Sequence, residues 1–392
     1  MTTRLDKMRA RIREHAALRA FICETAETGD GTVIAVKDLI DVRGTPTTAG
    51  STILDPAPAR ADAPVIALLR SAGCLVIGKT NLHEWALGPT SANRHFGSVR
   101  NPADPSRFAG GSSGGSAVAV AMRMCDWAVG TDTGGSIRIP AGLCGVVGFK
   151  PTFGSIDTRG MVPASQSLDT IGPLAASVEA ALRAQEMLTG QHQDYSEPPA
   201  WKELRVAIPR GWVSELDDAT AAAWARVSKG IPEIEFPSRD AFASVILPIM
   251  QGEASANHQL RLARHRDTYG TDVLAFIEAG LSVTAVSYLE AKRAQLRLTD
   301  EFEVAMLDVD AILLPTTARV APGLDEGDSV REPLTRFTRP TNLTGHPAFS
   351  VPLPDASPLP IGIQVVGHRG GDRALGRVAL ALERHLTSVA SG

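Results

Sequence analysis

GGSSGGSAVAVAMRMCDWAVGTDTGGSIRIPAGLCGVVGFK, residues 110–150, carries the features that decide how this chain folds. It opens on one glycine/serine loop, Gly110–Ser116, and holds a second, Gly130–Ser136. Between them, Ser116–Met124 reads as a helix of small residues with little polar character, which predicts that it is buried. Trp127–Val129 and Gly145–Lys150 fit strands, separated by the glycine-rich Thr131–Gly135. Glycines permit positive φ and close backbone approach. Loops of this kind aim several N–H groups at one point, where a phosphate or a developing oxyanion can be held.

The same rhythm continues outward in both directions. Residues 3–22 read as an amphipathic helix with Leu5, Met8, Ile12 and Leu18 on one broad face. Thr32–Val36 is a β-branched run ending in Lys37-Asp38, Asp62–Ser71 a helix closed by Gly73, and Cys74–Ile77 a buried strand. Strand, helix and strand in succession predict α/β architecture. From Gly88 to Gly115 the chain is polar and rich in turn residues. Downstream, Ser177–Leu188 reads as a helix, Gln191–Ala200 as a polar linker and Leu204–Pro209 as a strand. Residues 217–307 are mostly helical by period, followed by a strand at Ala311–Pro315. Two strand-like runs lie between His346 and Val366, and Arg373–His385 closes the pattern as a helix. With no internal repeat, a single domain over residues 1–392 is expected, with about 190–335 as a helix-rich elaboration on its substrate side.

Composition bounds the function. Hydrophobic residues make up 44% of the 392 and charged residues 21%, which excludes wholesale disorder and allows a large core. A net charge of −4 leaves no broad basic field for nucleic acid or anionic lipid. The N-terminal stretch is charged throughout and lacks the pattern of a secretory signal. No run approaches the roughly 20 apolar residues that span a bilayer. Cys23, Cys74, Cys125 and Cys144 show no CxxC spacing, so reduced thiols and a cytoplasmic location are expected.

Several familiar motifs fail on inspection. A P-loop ends in Gly-Lys-Ser/Thr, and neither loop has that lysine. Gly111–Gly115 fits G-x-S-x-G with Ser113 central, but a nucleophile elbow needs a strand directly before it. The preceding segment contains Pro102 and Pro105 and cannot form a central strand. Asp132-Thr133-Gly134 imitates an aspartic-protease motif without the second carboxylate that chemistry requires. No His/Cys/Asp cluster has metal-ligand spacing. Lys37 is different: a lysine beside a buried strand is desolvated, which disfavours its charged form. A drop of about three units from about 10.4 would make it a competent base. The loops and the lysine do not by themselves name a reaction.

The stretch 110–150 closely resembles the defining segment of the amidase-signature enzymes. AVKDLIDVRGTPTTAGS (35–51) resembles that family's lysine-bearing segment. Residues 76–102, TNLTGHPAFSVPLP and PIGIQVVG are similar to further family segments, while about 190–335 matches only loosely. The resemblance implies a large twisted mixed β-sheet covered by helices on both sides, with the glycine loops at one edge. It implies Lys37 as general base, Ser112 as the bridging serine, preceded by a cis peptide bond, and Ser136 as the acyl-forming nucleophile. Ser136 stands 24 residues after Ser112, in agreement with the family pattern. The backbone N–H groups of Thr133, Gly134, Gly135 and Ser136 would form the oxyanion hole. Ser113, Ser116, Asp132 and Arg138 would support the loops.

The implied activity is hydrolysis of a carboxylic amide with no metal or cofactor, on a small-molecule substrate, without nucleic acid or membrane, by a homodimer. Ester, urea-like and hydrazide substrates fit the same acyl chemistry. The family also includes the glutaminase subunit of tRNA-dependent amidotransferases, and a catalytically silent binding relative is a third reading. Trp85, Leu87 and His95 are candidate pocket residues, and His346 is expected to be structural.

Overall fold

The computed structural model describes residues 3–390. Its strands are β1 Phe21–Glu24, β2 Thr32–Lys37, β3 Cys74–Thr80, β4 Trp127–Asp132, β5 Val147–Lys150 and β6 Thr170–Ala175. They continue with β7 Val206–Pro209, β8 Glu233–Ile234, β9 Ala311–Pro315, β10 Ala348–Pro352 and β11 Gly362–Val366. All join one mixed sheet in the order β1-β3-β2-β4-β6-β5-β10-β11-β9-β7-β8. β2 runs parallel to β3 and β4, and β7 parallel to β8 and β9. The ladders from β4 through β6, β5, β10 and β11 to β9 are antiparallel.

Side-chain alternation explains the two layers around this sheet. In β2, Ile34 and Val36 enter one hydrophobic core while Val33 and Ala35 enter the other. In β4, Trp127 and Val129 join the first core and Ala128 the second. Strands buried on both faces read as continuous apolar runs, which makes them legible as strands. Helices Pro64–Ser71, Val178–Thr189 and Asp372–Ala390 cover the first face. Helices Arg4–Glu14, Gly114–Ala121 and Arg138–Cys144 cover the second. The expected mixed sheet between helical layers is therefore the observed fold.

Small residues in Gly114–Ala121 let that helix sit deep. A Cβ on Gly115 would lie 2.4 Å from the carbonyl oxygens of both Ala20 and Asn81. Every residue of this helix from Gly114 to Val120 is buried.

Two expectations need correction, and two elements are not legible in the sequence. The first helix ends at Glu14; a 3₁₀ turn follows, and Arg19 takes a left-handed φ of 57° that turns the chain into β1. Helix Arg138–Cys144 is masked in the sequence by Pro140, yet proline is tolerated in a first turn, where N–H groups have no helical partner. β6 is masked by Gly172 and Pro173. Its ladder with β5 covers only Leu174 and Ala175, so the residue lacking an N–H lies just beyond it. The glycine loops do not sit at a sheet edge: β4, which leads into the second loop, is an interior strand.

Residues 190–335 add β7, β8 and β9 to the sheet and carry helices Arg239–His265, Thr271–Gly280 and Ala285–Ala305. All four cysteines are free; Cys23 is half-buried and the others buried. Among the described residues, no single helix is long and apolar enough to cross a membrane.

Candidate active site

Because β2 and β4 are parallel neighbours, their C-terminal ends open on the same side of the sheet. Lys37 ends β2, and Thr131 lies one residue before the end of β4. Lys37 is fully buried. Its Nζ lies 2.7 Å from Ser112 Oγ, 2.9 Å from Ser113 Oγ and 2.7 Å from Thr131 Oγ1. Ser112 and Ser113 immediately precede helix Gly114–Ala121, and the Gly111–Ser112 peptide is cis.

Burial pushes Lys37 down from 10.5 to about 7, against the opposing pull of the negative Asp132 and Asp169. A large share of the lysine is then neutral at neutral pH. A neutral amine donates two hydrogen bonds and accepts one. Ser113 directs its own hydrogen to the Thr131 carbonyl, 3.1 Å away, so toward Lys37 it acts as an acceptor. The hydrogen that meets the amine lone pair must therefore come from Ser112 or Thr131. Of these two, Ser112 is the one on the loop that faces Ser136, since the next residue, Ser113, donates its N–H to the Ser136 carbonyl at 3.1 Å.

Ser136 is about nine-tenths buried. Among the described residues no hydrogen bond joins Ser136 Oγ to Ser112 Oγ. Without substrate such contacts are commonly long and tighten in the complex.

A buried network shapes the loop before Ser136. Asp132 accepts from the N–H groups of Gly135 (2.8 Å) and Ile137 (3.1 Å), from Arg138 Nε (3.0 Å) and Nη2 (2.9 Å), and from Asn342 Nδ2 (2.7 Å). Arg138 Nη1 donates to Thr341 Oγ1 and Gln364 Oε1, both at 2.6 Å. Burial works to raise the Asp132 carboxyl, but the Arg138 guanidinium overrides it and holds it well below the usual carboxylate range. Thr133 Oγ1 donates to Asp169 Oδ1 at 2.6 Å, and Thr338 Oγ1 donates to the Gly134 carbonyl at 2.7 Å. Burial raises Asp169 to about 7, with the hydrogen bonds from Thr133, Ser165 and Ala164 opposing it. Gly135 has φ +124°, and a Cβ there would meet Thr338 Oγ1 at 2.2 Å.

One of the four expected amide donors is thus already committed: the Gly135 N–H belongs to Asp132. The amides of Thr133, Gly134 and Ser136 have no protein acceptor among the described residues. Ser116 lies apart from Lys37; it bonds the Val129 carbonyl at 3.1 Å and Thr80 Oγ1 at 2.8 Å, tying its helix to the sheet. Asp132 and Arg138 hold the loop through the bonds described above.

Beside Ser136 lies a cavity of about 30 Å³, walled by Leu87, Gly134, Met250, Phe276, Arg331 and Arg339 among others. Leu87 is the only one of the three candidate pocket residues on that wall. Trp85 is buried edge-on against His258, with centroids 4.6 Å apart, and His95 pairs with Glu84 at 3.0 Å. His346 is buried against Phe302, as a structural histidine. A larger surface cleft of about 610 Å³, lined by His15, Arg19, Cys23 and His95, contains none of Lys37, Ser112 and Ser136. Sequence reasoning misses Thr131, Asp169, Thr338 and the two arginines. Only Thr131, inside the second loop, has a local signal.

Fold and relatives agree on the class: this is an amide-cleaving enzyme of the hydrolase type. The chain belongs to the amidase family, which matches residues 17–375. It is 32% identical to a glutamyl-tRNA(Gln) amidotransferase subunit from Halobacterium salinarum, covering 94% of this chain and 100% of that one. A crystal structure of an amidase superposes with a TM-score of 0.90 at 33% identity, over 97% of this chain and 95% of the other. An inhibitor-bound protein complex that bears on the origins of an s-triazine catabolic enzyme contains a chain superposing at 0.88 and 29% identity, over 97% and 94%.

Proposed function

We propose that this chain is an amidase that cleaves a carboxylic amide through an acyl-enzyme on Ser136, with Ser112 relaying protons to Lys37. The observation that carries this reading is a wholly buried lysine, 2.7 Å from Ser112 Oγ, with its pKa lowered to about 7. Neutral Lys37 takes the proton of Ser112, which takes that of Ser136. Ser136 Oγ attacks the carbonyl. Amides of Thr133, Gly134 and Ser136 receive the oxyanion, each well-placed donor contributing roughly 3–4 kcal/mol. The proton returns through Ser112 to the nitrogen, which leaves as the amine or ammonia. Water then repeats the sequence on the acyl-enzyme.

The segment at about 190–335 serves this site as its substrate-side elaboration, since Met250, Phe276 and Arg331 come from it. On this reading the chain acts on a small-molecule amide without nucleic acid, alone or as a homodimer. Ser136→Ala should lower ammonia release by at least about a thousandfold; retention of a substantial rate sinks the nucleophile assignment. The second reading, a glutaminase-type component of an amidotransferase, is favoured by the full-length match to a relative of that name. Glutamine-specific turnover and co-purification with a second protein would select it.

A further inference from the structure

Helix Ala285–Ala305 has two apolar faces. Ala291, Leu298 and Phe302 are buried on the inner one. On the opposite face Val286, Leu289, Leu296 and Val304 are exposed. Leu307 continues their line in the turn that follows, where its N–H meets the Val304 carbonyl at 3.3 Å. The exposures run from 53% at Leu289 to 70% at Leu307. Arg293 and Asp300, also exposed, fill the gaps, so that the positions advance by three or four residues throughout. That spacing puts them all on one stripe of the helix. Single exposed leucines need no explanation, whereas a continuous apolar stripe marks a contact surface.

The stripe is complementary to itself read backwards. Val286 lies ten residues before Leu296 and Leu307 eleven after it; Leu289 lies seven before and Val304 eight after; Arg293 lies three before and Asp300 four after. A second copy laid antiparallel, with the two-fold axis beside Leu296, therefore sets Val286 against Leu307, Leu289 against Val304 and Arg293 against Asp300, each pair occurring twice. Leu296 meets its own copy at the axis. A parallel arrangement would set Arg293 on Arg293 and Asp300 on Asp300, which repel. Among the described residues neither Arg293 nor Asp300 has an ion-pair partner in its own chain. Arg297 flanks the axis, and Glu301, one turn on, supplies the opposite charge on the same edge of the helix.

We propose that the outer face of helix Ala285–Ala305 is the seam of a homodimer, in which the helix packs antiparallel on its counterpart across a two-fold axis at Leu296. A cleft of about 400 Å³ runs beside the stripe, lined by Leu289, Arg293, Leu296 and Asp300 and, from elsewhere in the fold, by Leu343 and Arg369, and offers further surface to the incoming helix. A lipid surface fits the stripe less well: Asp300 within it and Glu290 and Glu301 on its edge would enter the headgroup layer, where a membrane-binding helix carries lysine and arginine. The seam lies behind the catalytic scaffold. Gln295 Nε2 donates to the Leu343 carbonyl at 2.7 Å, and Leu343 is on the helix whose Asn342 holds Asp132. The dimer does not depend on Ser136 as the nucleophile, so either reading can fail alone.

The test is sedimentation equilibrium on the full chain and on variants at exposed positions, with circular dichroism to check that each is folded. The wild-type chain should be a dimer. Leu296→Glu should raise the dissociation constant by about a hundredfold or more, since both copies carry the change at the axis. Arg293→Asp and Asp300→Arg should each raise it by about tenfold or more, because each makes both charge pairs like-signed. An equal mixture of those two variants should form a heterodimer close to wild-type affinity, since one copy then carries two acids and the other two arginines. A wild-type chain that is monomeric at about 100 μM overturns the proposal. A monomer that floats with anionic phospholipid vesicles overturns it in favour of a lipid surface. A dimer that survives Leu296→Glu and both charge reversals has its seam elsewhere, and failure of the mixture to associate refutes the antiparallel register.

Discussion

Lys37 Nζ and Ser112 Oγ stand 2.7 Å apart at the end of an interior strand, with the lysine and the serine both fully buried. Burial at this depth destabilises the ammonium form, so the lysine is poised as a base near neutrality.

That poise fixes the sign of the pH dependence. Burial lowers the lysine, so the neutral, active form dominates above about 7 and is lost below it. kcat/KM should therefore rise with pH through a limb near 7. Asp169 also titrates near 7 and touches Thr133. Asp169→Asn should keep the limb if Lys37 is its source. A profile flat down to pH 5 is incompatible with a lysine base.

The same burial has a stability consequence. In the unfolded chain Lys37 binds its proton near 10.5, and in the folded chain near 7. Between those values the unfolded state holds more protons, so stability rises with pH across that window, and below it the penalty is constant. Lys37→Met removes the penalty and three hydrogen bonds together. We expect a net gain of about 1–3 kcal/mol at pH 7, shrinking toward pH 10, with activity abolished. Urea denaturation at several pH values measures it; a variant less stable than wild type at pH 7 would be evidence against a desolvated amine.

Arg138 and Asp132 form a fully buried ion pair at 2.9 Å that also fixes the loop amides. Arg138→Met leaves a buried carboxylate unpaired and should cost about 3–5 kcal/mol, read from the urea midpoint. Adding Asp132→Asn should recover part of that. If the single variant loses less than about 1 kcal/mol, Asp132 has another partner of equal weight.

Gly135 takes a φ of +124°, with Thr338 Oγ1 pressed against the place where a Cβ would be. Gly135→Ala should lower kcat by about a hundredfold or more by displacing the amides on either side. Thr338→Ala added to it should relieve the contact but not the dihedral strain, giving partial rescue. Wild-type kcat in the single variant would mean that this loop does not position the reacting carbonyl.

How much of this can be read from residues alone follows physical lines. β2 and β4 are legible because both faces are buried and both read as unbroken apolar runs. Lys37, Ser112 and Ser136 are candidates because glycine loops and a strand-end lysine are local patterns; the structure brings Lys37 and Ser112 into direct contact. β6 is hidden by Pro173, whose tolerance depends on where β5 stops pairing. Asp169 anchors Thr133 from 36 residues away, and no local pattern records that distance. Arg331 and Arg339 read as ordinary surface charges, since burial is rare for arginine; at Arg339 it is decided by the packing of the helix that starts there. The commitment of the Gly135 amide to Asp132 likewise depends on a side-chain rotamer that spacing does not carry.

The most direct measurement is the site of covalent capture. A fluorophosphonate should add once to the intact chain, and peptide mapping should place the adduct on Ser136, with none formed in Ser136→Ala and slow labelling in Lys37→Met. An adduct on Ser113, or labelling that is undiminished in Ser136→Ala, would contradict the assignment of Ser136 as the nucleophile.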